Sequence, residues 1–341
     1  MTTTLHRFST SLIRLIGRLS IAAAQVLAFI LTVWLLLRLY PGDRWLLVRL
    51  GSYFAPWLLM TLFPALIIAL LGKRRWLTGF ILLLTLVIGM NYIFLLTPKL
   101  SRAQAQNHSH LLRVMTFNVH YANRDATAIA NLIATENPDI IALQEMTPGL
   151  AVLLYPKLAA EYPHHLTGEG TGFEKVLVSR YPLTALPKPP EAWGGLLGQV
   201  QTPNGPVVVW NLHPPPAVKQ NGWQAQQQTL AAIAQEIKGE IRPLIVLGDF
   251  NTTDQAENYR LIANHLTDVH WAVGRGLGFT FPEPDVISRA GYGQLLKRVS
   301  PVVRIDHIFV NKHFDPQETH VVSHGFGSDH RPVVATLRLA Q

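Results

Sequence analysis

The sequence predicts a mixed α/β domain carried behind a membrane-spanning segment. Three observations predict it. The first 104 residues hold three uncharged apolar stretches, at 19–37, 50–72 and 76–98. The remainder alternates β-branched hydrophobic runs with segments of helical period. Those runs end repeatedly in a carboxylate, an amide or an imidazole.

The apolar stretches come first. They are 19, 23 and 23 residues long, and a helix needs about 20 apolar residues to cross roughly 30 Å of hydrocarbon. Trp45, Trp57, Trp76, Tyr40, Tyr53 and Tyr92 flank or punctuate them, as interfacial anchors do. A cleaved signal peptide accounts for the first stretch alone, and a buried helical core leaves the Arg/Lys clusters between stretches unexplained. Residues 1–104 carry eleven of the 29 Lys and Arg and one of the 21 acidic residues, Asp43. The rest therefore holds 18 basic and 20 acidic residues, a net of −2. The basic pI belongs to the N-terminal third and reads as membrane-flanking charge, not as a nucleic-acid footprint.

Orientation follows from the positive-inside rule. With a cytoplasmic N-terminus, the inner side carries Arg7, Arg14, Arg18, Lys73, Arg74 and Arg75, and the outer side Arg38, Arg44, Arg49, Lys99 and Arg102. The compact cluster at 73–75 decides the direction. The expectation is a multi-pass integral membrane protein with three spans, a linker at 99–110, and a catalytic domain at 111–341 on the extracytoplasmic side. The chain has no cysteine, which excludes disulfides, thiolate metal sites and Cys nucleophiles.

Within the C-terminal part, 112–119 (LRVMTFNV) reads as a strand and delivers Asn118; 126–136 spaces Ile129, Leu132 and Ile133 on one helical face. Residues 139–145 (DIIALQE) deliver Glu145, and 148–162 reads as a helix. Strands follow at 173–179 and 207–213 (VVVWNLH), the latter delivering His213. Residues 224–237 form the clearest helix, with Leu230, Ile233 and Ile237 inward; 244–251 (LIVLGDFN) delivers Asp249 and Asn251, and 257–266 is helical. The Gly- and Pro-rich 274–298 reads as long loops, which tend to carry function. Strands at 304–310 (RIDHIFV, with Asp306), 320–323 and 332–337 close the series, and SDHRPV brings Asp329 and His330.

Unpaired buried carboxylates are costly, so aliphatic strands have no packing use for such tips. Gathered on one rim, these groups suit a hard, oxygen-ligated cation and acid–base work on a phosphate.

Taken in order, TFNVH, ALQEM, GFEKVLVSRYP, NLHPPP, VLGDFN, RIDHIF and SDHRPV resemble the endonuclease/exonuclease/phosphatase superfamily over about 110–341. The resemblance implies a four-layer α/β sandwich: two packed, mostly antiparallel sheets flanked by helices, with the active site at one rim. It implies that Glu145, Asp329 and Asn118 hold a metal, with Mg2+ the expected ion and Mn2+ its substitute. It also implies that Asp249 orients the attacking water and that Asn251, Asn118 and His213 bind the phosphate. His330 pairs with Asp306 and acts as base or as phosphate-binding cation. His213 in its strand is similar to pancreatic deoxyribonuclease and the neutral sphingomyelinases, and Glu174 resembles the glutamate that supports that histidine. The bland reading of Glu174 is a surface salt bridge to Lys175 or Arg180.

Other residues take plainer readings. His120 either approaches the site or is rim-exposed, and His164 and His165 lie in a loop. His307 faces away from the site if Asp306 faces in. Trp193, Trp210, Trp223 and Trp271 are core or rim. Lys297, Arg298 and Arg304 form a local basic patch near Asp306. The function expected is a membrane-anchored, Mg2+-dependent phosphoesterase acting by in-line water attack on a nucleic acid or a phospholipid or sphingolipid head group. The alternative is a non-catalytic phosphate-binding or scaffold module at the membrane. The full complement of polar tips weighs against it.

Overall fold

The protein is described here as a computed structural model. It covers residues 2–95, 111–168, 174–219, 221–284 and 301–340, with backbone alone for 2–11, 94 and 174. The chain divides into two units, Met1–Leu96 and Thr97–Gln341.

The first unit is helical: α1 (Thr2–Leu39), α2 (Leu46–Tyr53), α3 (Ala55–Leu71) and α4 (Arg75–Gly89). Leu12–Leu39 and Arg75–Ile93 are each long and apolar enough to cross a membrane. Large apolar side chains face outward along these helices, among them Phe29, Leu36, Phe63, Leu71, Leu82 and Leu86. Exposed apolar surface of this extent marks a contact with a membrane or another protein. The expected second span, 50–72, is not one straight helix. The α2 and α3 axes meet at 76°, so the pair counts as a third span only if a bent pair is one crossing. The cause is Pro56 in the first turn of α3, because proline lacks an N–H and its ring clashes with the carbonyl four residues back. A helix restarts there. Asp43, between α1 and α2, is buried and accepts from the Ser52 hydroxyl at 2.8 Å, while Arg49 donates to the Asp43 main-chain oxygen at 2.7 Å. The expected linker at 99–110 lies outside the described residues.

The second unit runs β1 (Leu111–Asn118), α5 (Ala126–Glu136), β2 (Ile140–Met146), α6 (Pro148–Leu158), β3 (His164–Thr167), β4 (Glu174–Ser179), β5 (Leu183–Ala185), β6 (Gly195–Thr202) and β7 (Gly205–Leu212). It continues with α7 (Gly222–Gly239), β8 (Leu244–Asp249), α8 (Glu257–Ala263), β9 (Thr267–Asp268), α9 (Val269–Val273), β10 (Asp306–Val310), β11 (Phe314–Val321) and β12 (Val333–Leu339). The strands form two six-stranded sheets, β11-β12-β1-β2-β4-β3 and β5-β6-β7-β8-β10-β9. Each has one parallel pair, β1 with β2 and β7 with β8, joined by a crossover helix; the other pairings are antiparallel. Expected helix ends are met closely: Asp125 caps α5 by accepting from the Ala128 N–H, and Thr147 caps α6 ahead of Pro148.

Three apolar layers hold the sandwich. Leu112, Val114, Ile140, Ala142, Val207, Val209, Ile245, Leu247 and Ile308 fill the gap between the sheets. Met115, Phe117, Ile141 and Leu143 pack on Ile129, Leu132, Ile133 and Leu150 of the helices. Val208, Trp210, Leu212, Val246 and Phe309 pack on Leu230, Ile233, Ile237 and Ile262. Each such side chain contributes about 1.5–3 kcal/mol by leaving water. This is the four-layer sandwich the resemblance implied.

The alternation of strand side chains then places the site. On β1, Leu112 and Val114 face the gap, and the same stripe continues through Thr116 to Asn118. On β7 it runs Val207, Val209, Asn211 and on to His213, and on β8 Ile245, Leu247, Asp249. One stripe changes from aliphatic to polar at one mouth of the gap between the sheets.

Candidate active site

Asp249 is the hub. It ends β8 after Gly248, whose φ is +149° and where a Cβ would lie 2.0 Å from the Leu212 carbonyl, so only glycine fits. The Asp249 Oδ2 accepts from Asn118 Nδ2 at 3.0 Å and lies 3.5 Å from His213 Nε2 and 3.7 Å from His330 Nε2. Its Oδ1 accepts the Asn251 N–H at 2.8 Å. The two imidazoles, carried on distant parts of the chain, thus share one carboxylate oxygen. Burial and the charge of Asp306 push the Asp249 carboxyl up, against the pull of His330 and His213.

His330 is fixed from both ends. Its Nδ1 lies 2.9 Å from Asp306 Oδ2. Its main-chain N–H donates to Ser328 Oγ, whose own hydroxyl donates to the Asn118 carbonyl at 2.6 Å. Phe281 packs on the ring at 4.8 Å between centroids. Burial alone would lower the imidazole, but Asp306 and Asp249 outweigh it and carry it up to about 10. Asp249, Asp306 and His330 are the one cluster of metal-capable groups among the described residues. Carboxylates face both ring nitrogens, so the cluster fits an imidazolium rather than an ion.

Glu145 and His213 make the more open side. Glu145 sits at φ +57°. Its Oε1 accepts from Asn118 Nδ2 at 3.2 Å and its Oε2 from the Tyr121 N–H at 3.0 Å. Burial would raise its carboxyl, but His213, Tyr121 and Asn118 hold it below the ordinary value. His213 Nε2 is 3.7 Å from Glu145 Oε1, and the His213 N–H donates to the Gly194 carbonyl at 2.7 Å. Asn251, at φ +49°, donates through Nδ2 to the Pro214 carbonyl at 3.1 Å. Backbone strain of this kind clusters at functional sites.

Of the residues expected from sequence, Asn118, Glu145, His213, Asp249, Asn251, Asp306 and His330 lie in this one constellation. Asn118 turns its amide nitrogen to the carboxylates, while its oxygen accepts the His120 N–H at 3.0 Å. In this conformation it orients Glu145 by donating to it. Asp329 is half-buried, its main-chain oxygen accepts the Glu283 N–H, and its charge helps raise His330. Glu174 begins β4, and its side chain lies outside the described residues.

Two plainer expectations change. Arg304 is no part of an exposed basic patch: it is buried, 2.9 Å from Asp268 and 3.0 Å from Asp254. Lys297 and Arg298 lie outside the described residues. His164 and His165 belong to a strand, β3, and His165 stacks on Tyr155. His307 does face away, packing on Phe250 and Tyr259. Trp210 and Trp223 are buried and Trp193 is exposed.

Sequence reasoning passed over Gln144, Asn211, Gln226 and Ser328. The Gln226 amide donates to the carbonyls of Pro215, Phe250 and Asn251 at 3.0–3.2 Å, tying the loop after β7 to the loop after β8. The available signal was a polar residue on the inward face of α7, beside Leu230 and Ile233.

The sequence signature of the Endonuclease/Exonuclease/phosphatase family matches residues 115–330. The chain belongs to that family. Among curated proteins no sequence matches. Among solved structures, an endonuclease/exonuclease/phosphatase from Beutenbergia cavernae DSM 12333 is similar, with 27% identity over 68% of this chain and 72% of that one, at a TM-score of 0.52. A 3′ phosphatase, NExo, from Neisseria bound to a product DNA hairpin covers 66% of this chain and 98% of its own, with 20% identity and a TM-score of 0.52. D. rerio TDP2 complexed with single-strand DNA product covers 67% and 99%, with 20% identity and a TM-score of 0.50. Members of the family are phosphoester hydrolases, and the present member has their fold.

Proposed function

We propose that this chain is a membrane-tethered, Mg2+-dependent phosphoesterase that cleaves a phosphodiester or phosphomonoester by in-line attack of water, with nucleic acid as its substrate class. The observation that carries the reading is the Asp249 oxygen shared by His213 and His330. A carboxylate there can orient a water and accept its proton while two imidazoles face the same space. His330, with Asp306 and Asp249 on its two nitrogens, holds positive charge against a phosphate oxygen. His213, less buried, would protonate a leaving alkoxide, and Asn251 would donate to a phosphate oxygen by giving up its contact to the Pro214 carbonyl. Glu174 is the candidate support for His213.

The proposed cation donor is Glu145, a partly exposed carboxylate held below its ordinary value, with Asp329 as the second donor. When bound, Mg2+ neutralises charge on the phosphoryl oxygens. Asn118 would reach it only with its amide reversed, which its contact to the His120 N–H opposes. Mn2+ is the expected substitute.

The DNA products held by the Neisseria and D. rerio structures support nucleic acid. The outward apolar side chains of α1, α3 and α4 favour a second reading, a lipid head group at the bilayer. The full chain in detergent, with Mg2+ or with chelator, would be tested on a 3′-phosphorylated DNA hairpin, plasmid, RNA, sphingomyelin and glycerophospholipids, with His330→Ala as blank. Mg2+-dependent cleavage of nucleic acid is expected. Hydrolysis confined to lipid would remove that substrate, and no hydrolysis anywhere would favour the scaffold alternative.

The anchor is proposed to cross the membrane three times, counting α2 and α3 as one bent span, with the catalytic unit extracytoplasmic. The exposed cluster Lys73-Arg74-Arg75 between α3 and α4 supports this direction. Protease added outside sealed cells should digest residues 111–341; full protection there would reverse the topology.

A further inference from the structure

Strict alternation should have pointed Glu145 the wrong way. On β2, Ile141 and Leu143 pack into the helix layer and Ile140 and Ala142 into the gap. Continued, that pattern gives Gln144 to the gap and Glu145 to the helices, since a one-residue change of register moves a side chain to the other face. Yet it is Met146 that joins Leu143 in the helix layer. The register between β2 and β4 shows why. Leu143 pairs with Val176, and the next match is Met146 with Glu174, so β2 carries one residue more than β4 across this step. The extra residue is a β-bulge, and it turns Glu145 to the mouth of the gap at φ +57°.

A side chain from the opposite sheet occupies that bulge. Asn211 of β7 is wholly buried, and its Nδ2 donates to the Leu143 and Val176 carbonyls, both at 2.9 Å. These are the main-chain oxygens of the last matched pair before the shift. An amide nitrogen has two hydrogens, and here each meets one carbonyl. Its oxygen accepts from Gln144 Nε2 at 2.7 Å, which fixes the orientation of the amide, and Gln144 Nε2 also reaches Thr116 Oγ1 at 3.0 Å. Asn211 stands two residues before His213, and Gln144 stands next to Glu145.

We propose that Asn211 is a positioning residue for Glu145: its amide, reaching across the gap between the sheets, maintains the bulge that aims the carboxylate at the site. The same contact locks the strand carrying Glu145 to the strand carrying His213. Other side chains do not replace it well. Aspartate would face two carbonyls with oxygens, and leucine would remove both hydrogen bonds that cross the gap.

This inference rests on Glu145 being the cation's carboxylate, and its test separates the two. Binding of Mn2+ alone to the full chain in detergent, read by electron paramagnetic resonance, would be compared for wild type, Asn211→Leu and Asn211→Ser. Serine keeps one donor, so it guards against a leucine variant that fails to fold. Loss of an outer-sphere partner typically costs 10–100-fold in metal affinity, and about tenfold or more is expected in either folded variant. The loss should shrink toward nothing in a Glu145→Gln background, because Asn211 acts through that carboxylate. Affinity within twofold of wild type, or an equal loss with and without Glu145, would overturn the proposal. Hydrogen exchange across 140–147 reads the bulge without metal: Asn211→Ser should speed it, and unchanged exchange would overturn the proposal too. Failure of wild type to bind Mn2+ would instead remove the metal reading.

Discussion

On one side of Asp249, the His330 side chain is 6% exposed and lies 2.9 Å from Asp306; on the other, His213 is 23% exposed and, among the described residues, its nearest carboxylate is 3.5 Å away. The two imidazoles face the same oxygen in different settings. The buried one is charged and oriented before any substrate arrives. The open one is partly exposed to solvent. The backing differs as well. Behind Asp306 stands Arg304, forked onto Asp268 and in contact with Asp254, with Tyr259 donating to Asp268 at 2.6 Å. Burial alone would raise the Asp268 carboxyl, but Arg304 and His307 hold it far below the ordinary range. His213 has no such network among the described contacts, only its strand and the Gly194 carbonyl. The buried half is held by a network of charges, and the open half is the one we propose to transfer protons.

If this contrast holds, the histidines fail differently. His330→Gln should lower kcat by about 10³-fold, the scale of removing a preorganised charge from a transition state, with little change in the shape of the pH profile. His213→Gln should cost about 10²-fold, the lower range of general acid catalysis. Steady-state kinetics on the substrate from the screen decide it. Equal losses would erase the distinction.

A smaller effect concerns the frame itself. Burial, with a contribution from Arg304, pushes the His270 imidazole down to about 4, and its Nε2 contacts the Gly276 carbonyl at 2.9 Å. The unfolded chain binds this proton more readily, so the stability His270 permits is present above about pH 6.5 and is lost as pH falls toward 4. The shift corresponds to about 3 kcal/mol. Urea titrations between pH 7 and 4 should show this slope in wild type and a shallower one in His270→Phe. Parallel slopes would refute it.

Much of this was legible in sequence because the inter-sheet stripe is local: an aliphatic strand with period two that ends in Asn118 or Asp249, or begins at Asp306, marks the rim of the site. The edges of the sheets were harder to read. β3, β5 and β9 are too short for a period, and β11 carries Pro316 and polar residues, as an edge strand can. β6 contains two glycines, and the Pro203-Asn204-Gly205 turn after it was the hairpin signal that went unread. The bend at Phe54 was signalled by Pro56. The roles of Asn211, Gln144, Gln226 and Ser328 were not legible, since each depends on a carbonyl brought from a distant stretch of chain. The bulge at Glu145 is invisible for the same reason.

The most direct test is Asp249→Asn, the isosteric loss of the one charge both halves share. In the full chain with Mg2+, turnover should fall by about 10³-fold or more while the melting temperature stays at or above that of wild type, because a carboxyl already pushed up by burial is replaced by a neutral amide. Turnover within a few-fold of wild type would contradict a site organised around this carboxylate.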